Sequence, residues 1–313
     1  MAQASRVGML RWAVDCESWE PAGGAGSRGV RHGHEIEFLV NLLEPAERET
    51  VLRFFQASDR KLAIVGRLLA RKACSEACGI PFDELQIKRT KGKKPFLANA
   101  TPELPCFNFN ISHEGGMVVL ASEPSCVVGV DVCAVDQFGR RRDGSQQTLD
   151  EWMSLFDAQL TPHEWSEVQA PGLDDAGKAA VFRRHWSLKE AFVKARGDGL
   201  GFELGRAEFR TTRLDELSSR RSAEVIVDGT VNPAWSFINQ ELSQRHSVTV
   251  ARGPPTDIVD EWGDFKKRFD GQSFDDSQWK EHLHAPHPEF TFVQIWDLVP
   301  PPHREAYATI LES

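Results

Sequence analysis

Apolar and polar residues alternate from Val7 to Asp15 around Trp12, the period of a half-buried strand, and the glycine-rich stretch Ala22 to Gly33 that follows reads as a mobile loop. Glu44-Pro45 opens a helical stretch. From Asp59 to Cys78 apolar residues recur at 62, 65, 68, 69 and 73, which predicts an amphipathic helix carrying Arg67 and Arg71 and ended by Gly79 and Pro81. Leu85 to Arg89, Phe107 to Ser112, Met117 to Ala121 and Cys126 to Cys133 are short runs rich in β-branched and aromatic residues, bounded by turn formers, and read as strands. The polar segment Gln137 to Gln147, with Arg140, Arg141 and Arg142, reads as a connection between two halves that divide near Ala121 to Pro124.

Helical periodicity returns at Leu149 to Phe156, at Thr161 to Val168, where Thr-Pro-His-Glu fits a capping box, and over the long stretch Asp174 to Arg196. Ala207 to Phe209, Ala223 to Val227, Trp235 to Ile238 and Ser247 to Ala251 then read as strands. Each half combines helix and sheet, so the expected class is α+β, with units at 1–122 and 123–253 and an extension at 254–313. Beyond Gly253-Pro254-Pro255 the chain turns acidic, with Trp262, Trp279 and Trp296 in weak periodicity, as for an extension wrapped over the core.

Composition limits the function classes. The 313 residues are 41% hydrophobic and 27% charged, an ordinary globular balance. No run approaches the roughly 18 apolar residues of a membrane span, so the expectation is a soluble cytoplasmic protein without a membrane partner. A net charge of −9 disfavours nucleic acid as a partner, and most of it belongs to the last sixty residues, with twelve Asp and Glu against five Lys and Arg. Against that background Lys88 to Lys94 is the only dense basic patch. The six cysteines, at 16, 74, 78, 106, 126 and 133, lie mostly in apolar runs without a C-x-x-C pair and read as reduced, buried thiols. His282, His284 and His287 read as solvated loop histidines rather than metal ligands, since no thiol or carboxylate pattern accompanies them.

Four clusters carry candidate chemistry. In Val128-Gly129-Val130-Asp131-Val132 a carboxylate sits in an apolar strand and needs a cation or metal as partner, unless Asp131 only caps a turn. Trp186, Glu190 and Lys194 fall at i, i+4 and i+8 on one helix face, which is either a site or an ordinary Glu–Lys surface pair. Gly197-Asp198-Gly199-Leu200-Gly201 holds more glycine than a helix C-cap requires, implying a backbone that turns tightly near something. Asn108 to Gly116 empties a strand into a turn whose N–H groups, Ser112 hydroxyl and His113 imidazole suit a phosphate, although a decorated hairpin has the same composition. The basic run before Pro95 suits a nucleotide phosphate in the same way.

Together Gly66-Arg67-Leu68-Leu69, Lys93-Lys94-Pro95, Phe107 to His113, Gly129-Val130-Asp131, Trp186 to Lys194 and Gly199 to Glu203 resemble the Sfp-type 4′-phosphopantetheinyl transferases, closest to the animal type. G-x-D followed about 55 residues later by W-x-x-K-E-x-x-x-K is a specific signature. The resemblance spans about Glu44 to Ala251 and implies two pseudo-twofold-related α+β subdomains with coenzyme A, the substrate, in the cleft between them. It implies Mg²⁺, or Mn²⁺ in its place, on Asp131 and Glu190. It also implies coenzyme A contacts from Arg89, Thr90, Lys91, Lys93, Lys94, Asn110, Ile111, Ser112 and His113, with Lys194 neutralising the pyrophosphate. Glu190, Lys194 and His113 form the catalytic set, Glu190 taking the proton of a carrier serine as adenosine 3′,5′-bisphosphate leaves. The implied partners are acyl- or peptidyl-carrier domains of fatty-acid synthase or aminoadipate reductase type, met by a monomer.

Two positions depart from the pattern. Cys133 stands where bacterial members often place a third carboxylate, and Thr50 stands where an arginine is expected to contact coenzyme A, leaving Arg48 or Arg53 as substitutes. A non-catalytic binding module that kept the fold, and a Mg²⁺-dependent nucleotide phosphatase, are the rival readings.

Overall fold

The computed structural model describes residues 7–26, 32–135, 147–212, 215, 219–260, 263, 265–268 and 276–312. The predicted connection at 137–146 lies outside the described residues. The first half begins with strand β1 (Arg11–Asp15) and helices α1 (His34–Asn41), α2 (Pro45–Leu52) and α3 (Ala57–Cys78). Proline occupies the first turn of α2, where its missing N–H has no helical partner to lose, and α3 stops at Gly79, whose φ of 68° an L side chain adopts only under strain. The hairpin β2 (Ile87–Arg89) and β3 (Pro95–Leu97) carries the basic loop, and β4 (Asn108–Glu114), β5 (Met117–Glu123) and β6 (Val127–Ala134) follow.

The second half, which β6 opens, continues with α4 (Leu149–Ser154), α5 (Pro162–Val168) and α6 (Asp175–Arg196), then β7 (Ala207–Thr211), β8 (Arg220–Val227), β9 (Thr230–Val231), β10 (Ser236–Ser243) and β11 (His246–Gly253). The capping box before α5 forms as expected, with the Thr161 hydroxyl accepting from Glu164 N and the Glu164 carboxylate from Thr161 N. The chain closes with α7 (Asp276–His284), β12 (Thr291–Phe292), α8 (Ile295–Leu298) and α9 (Arg304–Glu312).

The strands form an α+β arrangement of two principal sheets, β12-β1-β5-β4 and β6-β11-β10-β8-β7, with β9 paired to β8. Strand alternation decides what each face buries. On one face of the first sheet Phe109, Val118 and Leu120 join Ile64, Val65 and Leu68 of α3 in a common core. The opposite face, through Met117, Val119 and Ala121, packs on Val128, Val130 and Val132 of β6 and on Val248 and Val250 of β11. The far face of the second sheet, with Phe209, Val225, Phe237 and Ala251, receives Leu188, Ala191 and Phe192 of α6. The two sheets therefore lie between α3 and α6, and β6 is sandwiched where they meet.

The C-terminal segment joins both halves. β12 adds to β1 in parallel, Trp12 opposite Thr291, while Tyr307 of α9 stacks on Phe38 of α1 and donates to Glu35 at 2.7 Å. The expectation of solvated histidines in this segment is corrected for His282 and His287, while His284 is exposed. His282 bonds to Ser125, and His287 accepts from the buried Arg252 guanidinium at 3.1 Å, because Arg252 also docks the carbonyls of His282 and Ala285 at 2.7 and 2.8 Å. Burial first, and then Arg252 and Arg11, hold His287 well below the usual histidine pKa, so it is a neutral acceptor. Among the described residues no helix is long and apolar enough to cross a membrane.

Candidate active site

The glycine of the G-x-D motif explains itself in packing. A Cβ on Gly129 would collide with the carbonyl of Ala191 and the amide of Ala195, so only glycine lets α6 lie this close to β6. The close approach delivers the C-terminal part of α6 to Asp131, two residues further along the same face of the strand. Asp131 is 5% exposed, and its Oδ1 meets Lys194 Nζ at 2.5 Å and the Ser112 hydroxyl at 3.2 Å. Lys194 Nζ also donates to Ser112 Oγ at 3.1 Å. Ser187 donates to the Asp131 carbonyl at 3.3 Å, and the Cys133 thiol to Asp131 Oδ2 at 3.3 Å. Three elements, β4, β6 and α6, thus converge on one carboxylate.

Electrostatics tie Glu190 to the same cluster. Burial raises its pKa above the usual glutamate value; Lys194 opposes the rise and the Asp131 charge adds to it. For Lys194 burial works against the ammonium, but the Asp131 contact outweighs it and the net shift is upward, so this lysine stays charged. Trp186, expected on the same helix face, packs instead against Phe156 and Phe182 at centroid distances of 4.8 and 6.4 Å. Its ring anchors α6 on the segment just after α4 rather than lining the cluster.

Consecutive residues of β4 part company, as strand geometry requires. Ser112 faces Asp131, whereas His113 lies on the other side, solvent-exposed, with its pKa lowered by partial desolvation and by Lys194. Asn110 is 4% exposed and its side chain accepts from Val130 N at 2.9 Å, while Ile111 lies against Gly66 of α3. Glu114, absent from the expected set, is a further acid here, its pKa raised by burial and by Asp131. It follows His113 directly at the end of β4, and nothing in the sequence says which β4 residues face β6.

The basic hairpin turn is held by its own backbone: Thr90 N donates to Lys94 O and Lys93 N to Thr90 O, both at 2.9 Å. Gly92 presses on the glycine turn after α6, where an added Cβ would come 2.6 Å from Gly197 O. That contact accounts for Gly199, whose own Cβ would come 3.2 Å from Gly92 Cα, while Gly197 is the αL cap of α6 and a Cβ on Gly201 would meet open space. Arg89, Lys91 and Lys93 remain exposed, and Thr90 is buried. Lys94, expected at the adenosine phosphates, instead turns inward. Its Nζ donates to Val128 O and Lys194 O, both at 2.8 Å, and burial pushes its pKa down to about 7.

Arg48 and Arg53, weighed against Thr50, are also engaged elsewhere. Arg48 donates to the carbonyls of Asn41 and Leu43 at 3.2 and 3.3 Å, and Arg53 pairs with Glu49 on the open surface. The arginine that accompanies Arg89 is Arg67 of α3, whose pKa is lowered by burial and then by the Arg89 charge, with Glu47 3.6 Å away as counter-ion. Its signal in the sequence was the amphipathic phase of α3, which sets 67 off the apolar stripe.

Both halves of the chain resemble known proteins. Residues 31–125 match the family model described as 4′-phosphopantetheinyl transferase, N-terminal, and residues 127–251 that of the 4′-phosphopantetheinyl transferase superfamily. An L-aminoadipate-semialdehyde dehydrogenase-phosphopantetheinyl transferase of Rattus norvegicus is 36% identical over 79% of this chain and 75% of its own length. The protein of that name from Homo sapiens is 33% identical over 93% and 85%, and a phosphopantetheinyl transferase of Thraustochytrium sp. is 35% identical over 77% of each. With both halves matched, the chain belongs to the 4′-phosphopantetheinyl transferase superfamily, enzymes that transfer phosphopantetheine to carrier proteins.

Proposed function

We propose that the chain transfers the phosphopantetheine arm of coenzyme A to a serine of an acyl- or peptidyl-carrier domain, in a Mg²⁺-assisted reaction centred on Asp131, Glu190 and Lys194. The observation that carries it is the meeting of Asp131 with Lys194 and Ser112 across the junction of β4, β6 and α6, with Glu190 in electrostatic contact. Division at 122 and 253 into two pseudo-twofold-related units belongs to the same reading, supported by a 22-residue helix on a sheet in each half. The relatives' names extend it to the carrier domain of an aminoadipate reductase.

The donor set suits a hard cation. Asp131 and Glu190 offer carboxylate oxygens, and the Cys133 thiol, its pKa raised well above normal by burial and by Asp131, stays protonated and outside the ligand set. Two carboxylates leave the remaining positions of such an ion to water and substrate oxygens. Asp131 and Glu190 would hold it, and when bound it supplies neutralising charge to the pyrophosphate.

The chain's own groups do the rest. Lys194, kept cationic by Asp131, stabilises negative charge developing on the phosphate oxygens. Glu190, with its raised pKa, accepts the proton of the carrier serine as the hydroxyl attacks phosphorus. Arg67, partly buried on α3, and Arg89, exposed on β2, offer planar cations to the nucleotide phosphates. Glu190→Gln tests the assignment through the mass gain of an apo-carrier incubated with coenzyme A and Mg²⁺. The expected rate is about a hundredfold below the parent. A rate near the parent's removes Glu190 as the base, and coenzyme A breakdown without mass gain supports the phosphatase reading.

A further inference from the structure

β6 is the edge strand of the second sheet, paired on one side with β11 in unbroken register from Val127 opposite Gly253 to Ala134 opposite His246. On its other side lies β4, the edge of the first sheet, yet the two share no backbone ladder. Side chains replace it. Val128 N donates to Asn108 Oδ1 at 2.9 Å, Val130 N to Asn110 Oδ1 at 2.9 Å and Val132 N to Ser112 Oγ at 3.3 Å, and the Glu114 carboxyl takes a backbone hydrogen bond from Ala134. Each rung joins residue i to i+20, so β4 and β6 run in the same direction with matched two-residue periods. An exposed sheet edge needs partners for alternate amides, and here β4 supplies them from one face.

Asn108 is the most fully engaged member. Besides accepting from Val128, its Nδ2 donates to Cys106 O at 3.1 Å and Cys126 O at 2.7 Å, and it is 1% exposed. It touches neither Asp131 nor any group assigned to substrate. Ser112, two rungs on, is the member that reaches Asp131 and Lys194. A slip of β4 along β6 by one period would carry Ser112 roughly 6.6 Å from Asp131.

We propose that Asn108 is a positioning residue for phosphopantetheine transfer, the anchor of a side-chain ladder that fixes the register of β4 on β6 and thereby sets Ser112 and Lys194 against Asp131. The inference rests on the reading of Asp131 as part of the reacting centre. Amide hydrogen exchange and steady-state kinetics of Asn108→Ala, compared with the parent, test it. The expected result is faster exchange at Val130 and Val132 as well as at Val128, with kcat lower by about tenfold and the KM for coenzyme A within threefold. Asn108→Ser, which retains an acceptor of the kind Ser112 uses, recovers much of both. Acceleration confined to Val128 with kcat within twofold of the parent overturns the proposal, as does a kcat loss matching the unfolded fraction. Should Asn108→Ala not fold, Asn108→Ser is read by the same measures, and a kcat loss of about tenfold or more with exchange at Val130 and Val132 as in the parent overturns the proposal. Exchange judges the ladder independently of turnover, so a fully active Glu190→Gln would discredit the assigned centre without touching it.

Discussion

Lys189 and Lys194 stand five residues apart on α6, and each meets a carboxylate. Lys189 is fully buried, 2.8 Å from Glu164, and its remaining protons go to the carbonyls of Leu204 and Ala207. Glu164 is equally saturated, accepting from Thr161 N at 2.7 Å and Phe209 N at 2.8 Å. Lys194 keeps 29% of its side-chain surface, shares Asp131 with Ser112, and has a second carboxylate, Glu190, nearby. The same pair of residue types is a closed structural bond in one place and an open reactive one in the other. What separates them is spare capacity: a fully coordinated pair has no protons or lone pairs left for a ligand.

Removing Lys189 should have the largest effect. Lys189→Met strands the Glu164 charge in an apolar shell and is expected to lower stability by about 3–5 kcal/mol, read as a fall in the urea midpoint, with transfer per folded molecule near the parent's. Adding Glu164→Gln to it is expected to restore part of the loss, since the stranded charge is then gone.

Lys194→Met is the converse. Transfer is expected to fall about a hundredfold, roughly 2.7 kcal/mol of transition-state stabilisation, while the urea midpoint falls less than for Lys189→Met, since Ser112 and Cys133 still donate to Asp131. A large midpoint shift with modest loss of transfer would show that Lys194 belongs with Lys189 after all.

Lys94 gives the smallest and most graded effect. Its ammonium is the ordinary form in the unfolded chain up to pH about 10, but burial brings it to about 7 in the fold. Between those values the unfolded chain binds the extra proton, so stability rises with pH across the window and the cost of burying the charge is complete below about 7. A neutral amine still has two N–H groups for Val128 O and Lys194 O. Denaturation of the parent from pH 7 to 9 is expected to slope upward relative to Lys94→Met.

Local features were legible where the local chain decides them. The capping box at Thr161 and Glu164 and the αL glycine ending α3 depend on neighbours within a few residues. The grouping of Asp131, Glu190 and Lys194 was legible for another reason: the resemblance to a family implies it, and helix spacing by itself puts only Glu190 and Lys194 on one face. The sequence did not tell that Lys189 of the same motif is structural, that Lys94 turns inward, or that Arg67 rather than Arg48 stands beside Arg89. Each of those depends on which carbonyls or carboxylates from remote segments lie within about 3 Å of a side chain tip.

From the sequence alone came the α+β class, the periodicities of α3 and α6, and the residue types gathered at the site, because strand and helix periods and capping chemistry are encoded in near neighbours. The tertiary structure alone decided which of several lysines and arginines are spent inside the protein and which stay open. It also decided that β4 and β6 meet through side chains instead of backbone, since the offset of twenty residues acquires meaning only once β6 packs on the face of the first sheet that Asn108, Asn110 and Ser112 share.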